Sequence, residues 1–439
     1  MHRRWSRIFA LSMGIPLLLG LLAACGSGTG TDTNASGGPV IIKIGSNFPT
    51  TQKDASNGKP TEDGVRYAID LANKNNFLPG YKLIISAKDD VGSNGTHDPT
   101  VGQKNINELI GDAQVAAVVG PLNSSVAKAI MPIANRSGIA LISPANTNDC
   151  LTQNDPDSEC GGSKSLLSSL RPTGNITYFR TATRDVNQGK ALAAYAYKVK
   201  HYQTAYVIDD TETYGAGLAA NFITFFQQFG GKVLDHKSIQ STNSYNNVLT
   251  AVAATKPDFL FFGGNDSTGG ITIRQQMATT PGLENLPFFA GDGNKTPSFA
   301  KAIAPLKPKD VYNTIPGIDP STVPATKDFN KEEFLNKYKQ IGAYTYGAYD
   351  DTQIVLQAIK MAIGKNILPP KSPNDTATAK TFRQAVIDAI QHIDYSGLTG
   401  HHSFDKNGDT TNTSISIYTT GDPNVGDGWK YLGVVNPDM

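Results

Sequence analysis

From Pro39 onward the chain alternates short β-branched and aromatic runs with longer stretches of helical periodicity. No other feature narrows the fold so far. The runs "VIIKIGS" (40–46), "YKLIISA" (81–87), "VAAVV" (115–119) and "IALIS" (139–143) are separated by helical patterns around 61–75, 101–110 and 126–134. A polar excursion at 150–172 interrupts the rhythm. It restarts with a helix near 188–199, and then "TAYVID" (204–209), "KVLDHKSI" (232–239), "DFLFFG" (258–263) and "LPFFAG" (286–291) alternate with helices near 217–229, 245–254 and 270–279. Repeated β-α-β implies parallel sheets covered by helices. Two such blocks predict an α/β fold of two similar doubly wound lobes. A ligand is expected between them, beyond the carboxyl ends of the strands. At 439 residues the chain exceeds what one core usually serves. The last third holds helical patterns at 327–342, 344–364 and 379–390 and a hairpin turn at Asn407-Gly408. These are too few for a third core and are expected to complete the two lobes.

The stretch "VVGPLNSSVAKAIMPIA" (118–134) reads as strand, tight turn and helix. Such a turn aims backbone N–H groups and the positive end of a helix dipole at whatever sits above it, so an anion is expected there. A nucleotide phosphate would bring a Gly-rich loop ending in lysine, and Lys128 lies a full turn too deep for that role. A smaller anion is implied.

The net charge of +1 and a charged fraction of 18% argue against nucleic acid and against an anionic membrane surface as partners. Arg3, Arg4 and Arg7 precede a short apolar stretch interrupted by Gly14 and Pro16, the pattern of an export signal rather than a spanning helix. The run "GSGTGTDTNASGGP" after Cys25 has the composition of a flexible tether. In an exported chain the other two cysteines, Cys150 and Cys160, are expected to form a disulfide. Two thiolates with no His in the loop do not complete a zinc site.

Calcium-like runs at 89–98 and 405–409 lack the Gly and Glu spacing of an EF-hand, and the pair His401-His402 is read as solvent-facing. No G-x-S-x-G or H-E-x-x-H motif is present, so neither catalytic residues, a metal nor a cofactor is expected.

The ending "LAAC" at 22–25 resembles the lipobox of bacterial lipoproteins, in which Cys25 is lipidated. The order and spacing of "IKIG" (42–45), "DGVRYAIDLAN" (63–73), "VVGPLNSS" (118–125), "LISPANT" (141–147), "DDTETYGAGLA" (209–219), "FFGGN" (261–265) and "FDKNGD" (404–409) resemble the leucine/isoleucine/valine-binding family of solute-binding proteins that feed ABC transporters. That resemblance implies the type I periplasmic-binding fold with a three-strand hinge. It implies a signal peptide at 1–24, a tether at 25–39, a first lobe at 40–172 plus about 317–395, and a second at 173–316 plus about 396–439. It further implies a monomer held to the outer face of the cell membrane by lipid alone, which passes a small ligand to a membrane permease. A sensor of the same fold is the rival expectation.

Carried onto this chain, the resemblance places an amino-acid carboxylate at Ser124, with Ser125 close by, and at Ala145, Asn146 and Thr147. Ser124 also reads as a helix N-cap, and the two roles are compatible. Tyr214 matches an aromatic that closes over the ligand. Asp292 matches an acid that pairs with the ligand's ammonium, although an Asp between glycines is also an ordinary turn residue. Asn265 stands where leucine binders have a second tyrosine, which implies a more polar pocket whose ligand is an amino acid or a similar small polar carboxylate.

Overall fold

The computed structural model describes residues 38–154, 160, 164–323, 329–422 and 426–435. The export signal, Cys25 and nearly all of the tether lie outside the described residues. The unit from Pro39 to Met439 is built as follows.

In the first lobe β1 (Val40–Phe48), α1 (Ala55–Lys74), β2 (Tyr81–Asp89), α2 (Pro99–Gly111), β3 (Val115–Val119), α3 (Ser124–Ser137), β4 (Ala140–Ser143), α4 (Lys164–Leu170) and β5 (Tyr178–Arg180) follow one another. The strands form a parallel sheet in the order β2-β1-β3-β4-β5. Local sequence sets the ends of these elements. Asp98 caps α2 by accepting from Thr100 N at 2.7 Å, with Pro99 in the first turn. Gly138, at φ 61°, ends α3 in the left-handed region where a side chain is disfavoured.

The second lobe continues with α5 (Asp185–Ala194), β6 (Thr204–Asp209), α6 (Thr213–Gln228), β7 (Lys232–Ser238), α7 (Asn246–Thr255), β8 (Phe259–Gly263), α8 (Ile271–Met277), β9 (Phe288–Ala290), α9 (Pro297–Ile303) and β10 (Val311–Pro316). The chain then adds α10 (Lys331–Tyr338), α11 (Thr345–Gly364), α12 (Thr376–Gln391), β11 (Tyr395–Gly397), β12 (Gly400–His402), β13 (Ile415–Thr420) and β14 (Trp429–Val435). The second sheet runs β14-β13-β10-β9-β8-β6-β7, with β13 antiparallel to both of its neighbours and the remaining pairs parallel.

Each sheet is apolar on both faces. In β8, Phe259 and Phe261 join Phe222 and Phe226 of α6 on one side, while Leu260 and Phe262 join Leu249 and Ile273 on the other. The strand period of two divides one continuous apolar run between two helical layers. In the first lobe Ile42, Ile142 and Phe179 pack with Ile354, Ile359 and Val386, so α11 and α12 close that core rather than forming their own.

The boundaries differ from the sequence expectation in two places. The first sheet continues past Pro172 to Arg180, because β5 pairs with β4. Residues 396–410 lie with the first lobe: Asp350 of α11 accepts from Leu398 N at 2.9 Å and Thr399 N at 2.7 Å, and Asp409 bridges Arg180. The three passages between sheets lie side by side, with Arg180 against Asp409 and Gly317 against Ile415. The Asn407-Gly408 turn, with Gly408 at φ 84°, closes a single Phe404–Thr410 bridge rather than a long hairpin.

His402 does not face solvent. Strand alternation sends the two neighbours to opposite sides, so His401 is exposed while His402 is buried between the Thr399 and Thr410 hydroxyls at 3.0 and 3.1 Å. The disulfide joins Cys150 and Cys160, as expected. Its ten-residue separation constrains the unfolded chain by roughly 2.5–3 kcal/mol. Reduction under native conditions is therefore expected to lower stability by about that amount, measured as a fall in the urea midpoint, and an unchanged midpoint would contradict it.

Candidate functional site

The carboxyl ends of β3, β4, β8 and β9 and the starts of α3, α6 and α11 converge on a nearly closed cavity of about 10 Å³, room for about one water in this form. Leu122, Asn123, Ser124, Ala145 and Tyr344 line it from the first lobe, and Tyr214, Asn265 and Asp292 from the second. A larger cavity of about 340 Å³ lies under the disulfide, lined by Lys128, Leu151 and Thr213 among others. The smaller one is the better candidate, because it alone opposes a helix N-terminus to a buried carboxylate.

On the first-lobe side the chain leaves β3 at Gly120 and enters α3 with Asn123 in the N-cap position. The Asn123 side chain makes no capping hydrogen bond. The usual intramolecular cap of the first-turn N–H groups is thus missing at the end that faces the cavity. Ser124 is buried in the first turn and is not the cap, which decides between its two sequence readings in favour of a residue beside the cap.

The neighbouring turn after β4 behaves differently. The Ser143 hydroxyl accepts from Ala145 N at 3.2 Å and Asn146 N at 3.0 Å, and donates to Pro121 O at 2.7 Å. The Asn146 side chain donates to Leu122 O at 2.7 Å and accepts from Tyr178 OH at 3.0 Å, so it braces the two turns against each other. Thr147 and Ser125 lie outside the cavity lining, and the hydroxyls of both are buried without a hydrogen-bond partner among the described residues. Of the expected residues, Ser124, Ala145, Tyr214, Asn265 and Asp292 come together, whereas Ser125, Asn146 and Thr147 stand behind the lining.

On the second-lobe side Asp292 follows β9. Its Oδ1 accepts from Tyr214 OH at 2.7 Å and Gln188 Nε2 at 2.9 Å, and its Oδ2 accepts from Tyr344 OH at 2.7 Å. The last of these bonds crosses between the lobes. Burial pushes the Asp292 carboxyl above its ordinary range, partly offset by the three donors. Burial and the Asp292 charge raise both tyrosines well above their usual value, so their hydroxyls remain donors. The glycines on either side are spatial requirements: a Cβ at Gly291 meets the Tyr214 hydroxyl, and one at Gly293 meets Asn265 Oδ1 at 2.5 Å.

Sequence reasoning missed Tyr344 and Gln188. Tyr344 lies 52 residues from Asp292 at the start of a helix whose pattern marks only its core face. Gln188 sits in the first turns of α5 with nothing local to distinguish it. The arrangement presents a dipolar cavity, with helix N–H groups and a hydroxyl at one end and an anionic oxygen at the other. It suits a small zwitterion.

The chain matches the sequence profile of the periplasmic binding protein family over residues 41–422. It is 26% identical over 347 residues to the Leu/Ile/Val-binding protein BraC3 of Rhizobium johnstonii, covering 74% of this chain and 86% of that one. In three dimensions it is similar to the leucine-binding protein LivK of Thermotoga maritima, with TM-score 0.71 and 21% identity over 90% of this chain and 99% of that chain. A solute-binding protein of an ABC transporter from R. palustris, solved in complex with benzoate, aligns with TM-score 0.67 and 17% identity over 90% of this chain and 97% of that one.

Proposed function

Because the chain belongs to the periplasmic binding protein family, whose members are extracytoplasmic and non-enzymatic, we propose that it captures a small amino acid between its lobes and delivers it to an ABC permease. The observation that carries this reading is the opposition of the α3 N-terminus to Asp292 across one cavity. The ligand's carboxylate lies at Ser124 and the first-turn N–H groups of α3, where neutral donors and a helix dipole hold an anion without a buried counter-charge. Its ammonium lies at Asp292, already fixed in orientation by Tyr214, Tyr344 and Gln188. The lobes must part to admit the ligand, and the lining by Asn265, Asn123 and Leu122 then favours a side chain with some hydrogen-bonding capacity over a purely aliphatic one. Ala145 supplies surface rather than a free N–H group, since Ser143 already accepts from it.

Closure of the two lobes over the ligand follows from its greater affinity for the form in which both halves of the site meet. The anchoring of Cys25 by lipid, a monomeric state and attachment to the outer face of the cell membrane belong to the same proposal. Among the described residues no helix is long and apolar enough to cross a membrane.

Thermal-shift screening of the purified chain against the common amino acids, their deaminated acids and small amides, followed by calorimetry of the hits, tests the assignment. At least one α-amino acid is expected to raise the melting temperature more than its deaminated counterpart. If deaminated acids stabilise the chain and amino acids do not, the ammonium half of the proposal is wrong.

A further inference from the structure

A second set of polar contacts crosses between the lobes outside the cavity, and the ligand reading makes no use of it. His97 is buried in the loop between β2 and α2. Asp54 Oδ2 accepts from the His97 backbone N–H at 2.7 Å and lies 2.8 Å from His97 Nδ1. The other ring nitrogen, Nε2, is 3.8 Å from Glu212 Oε2. Asp54 and His97 belong to the first lobe, whereas Glu212 is the N-cap residue of α6 in the second. The remaining oxygen of Asp54 accepts from the hydroxyl of Ser267, also in the second lobe, and beside it Ser56 Oγ donates to Asp266 Oδ2 at 3.3 Å.

The sign of the charges matters more than their number. Asp54 and Glu212 face each other from opposite lobes with the imidazole between them. With a neutral ring, closing the lobes would bring two carboxylates together. With an imidazolium the same geometry is attractive on both sides; burial reduces screening of the Asp54 half, whereas Glu212 is partly exposed and its attraction is screened by solvent.

The other groups around the ring are accounted for. Asp90, at the end of β2, is fully buried with no hydrogen-bond partner for its carboxyl, and burial pushes it up to about 8, which leaves it neutral at pH 7. Asp89 is occupied by Thr50 N and the Thr51 hydroxyl. Asp266 is pushed up to about 7, chiefly by burial. Lys53, beside Asp54, is exposed.

We propose that protonated His97, gripped by Asp54 and facing Glu212, is an electrostatic latch between the lobes that favours the closed form independently of ligand. Burial by itself would lower the His97 value, but Asp54 and Glu212 outweigh it and raise it to about 10. The histidine's contribution is therefore present in full below its ordinary range and is lost as pH rises through about 10. Asp54 and Glu212 are held below the carboxylate range by His97, Asp54 against the opposing effect of burial, so their contribution is lost as pH falls through that lowered range. The latch operates between these limits.

Small-angle scattering of the full chain without ligand, over pH 6 to 11, tests the proposal and does not depend on the identity of the cargo. Glu212→Gln, at a partly exposed position that tolerates the change, is expected to enlarge the radius of gyration at pH 7, with the closed-to-open ratio falling about two- to fivefold. The parent chain is expected to expand as pH approaches 10–11, and the variant to expand less over that step. His97→Gln, checked for folding by circular dichroism, is expected to match or exceed the Glu212→Gln effect. Identical radii and identical pH responses for parent and Glu212→Gln would overturn the latch, while leaving the amino-acid reading to its own test.

Discussion

Replacing Asp292 by Asn is expected to weaken binding of an α-amino acid by about 2–5 kcal/mol, the cost of removing one partner of a buried charge pair. That is roughly 30-fold to several thousand-fold in Kd. The substitution conserves shape. Its carbonyl oxygen still accepts from Tyr214 and Gln188, which now meet Oδ1 at 2.7 and 2.9 Å, so the fold of the site is retained. A deaminated analogue has no ammonium to lose and should change several-fold at most. Calorimetry with one amino acid and its deaminated acid on parent and variant measures the difference directly. Equal losses for both ligands would remove Asp292 from ammonium recognition and leave it as a brace for the two tyrosines. Because burial raises the Asp292 carboxyl, binding of an ammonium ligand should also weaken as pH falls toward the carboxylate range, beginning above the usual carboxylate value.

Removing Asp409 is expected to have the largest effect on stability. Arg180 is fully buried at the end of β5, 2.7 Å from Asp409 Oδ1, and it donates to Asn146 O at 3.2 Å and Asn148 O at 2.7 Å. Thr152 and Gln153 donate to the other Asp409 oxygen at 2.9 and 2.6 Å. Asp409→Ala leaves a buried guanidinium without its counter-charge, at a cost of about 3–5 kcal/mol. Urea unfolding of the first-lobe transition measures it, and a change under 1 kcal/mol would show that Arg180 finds adequate compensation elsewhere. The same network carries an acid limit. Burial opposes ionisation of Asp409, but Arg180 overrides it and holds the carboxyl below its ordinary range. Its stabilisation is present above the unfolded value of about 4 and is lost as pH falls through the lower folded value. Since Arg180 also grips two carbonyls of the turn that carries Ala145, Asp409→Ala should weaken ligand binding as well as the fold.

Eight strands, β1 to β4 and β6 to β9, were legible in the sequence to within about two residues at each end, whereas β5, β10 and β14 were not. "VAAVV" is β3 and "TAYVID" is β6, because a strand buried on both faces must be a continuous apolar run that punctuating Gly, Pro or Asp residues end. The site turns were legible for a related reason: "GPLNSS" and "AGDGN" end apolar strands with residues chosen for backbone geometry and polarity. From the alternation came two lobes, and from two lobes came a cleft at the strand ends.

Tertiary structure decided what no local pattern records. Ser124 lines the cavity but Asn123 holds the cap position, and Asn146 stands behind the lining because Ser143 and Tyr178 have already claimed its polar groups. Tyr344 reaches Asp292 only because α11 packs on the first lobe while Asp292 belongs to the second. His97, on a loop that resembled a weak calcium motif, instead pairs with Asp54 and faces Glu212. The division has one physical cause. Burial and chain direction are written in periodicity over a few residues, whereas hydrogen-bond partners and charge pairs are settled between segments that lie tens to hundreds of residues apart until the lobes have folded.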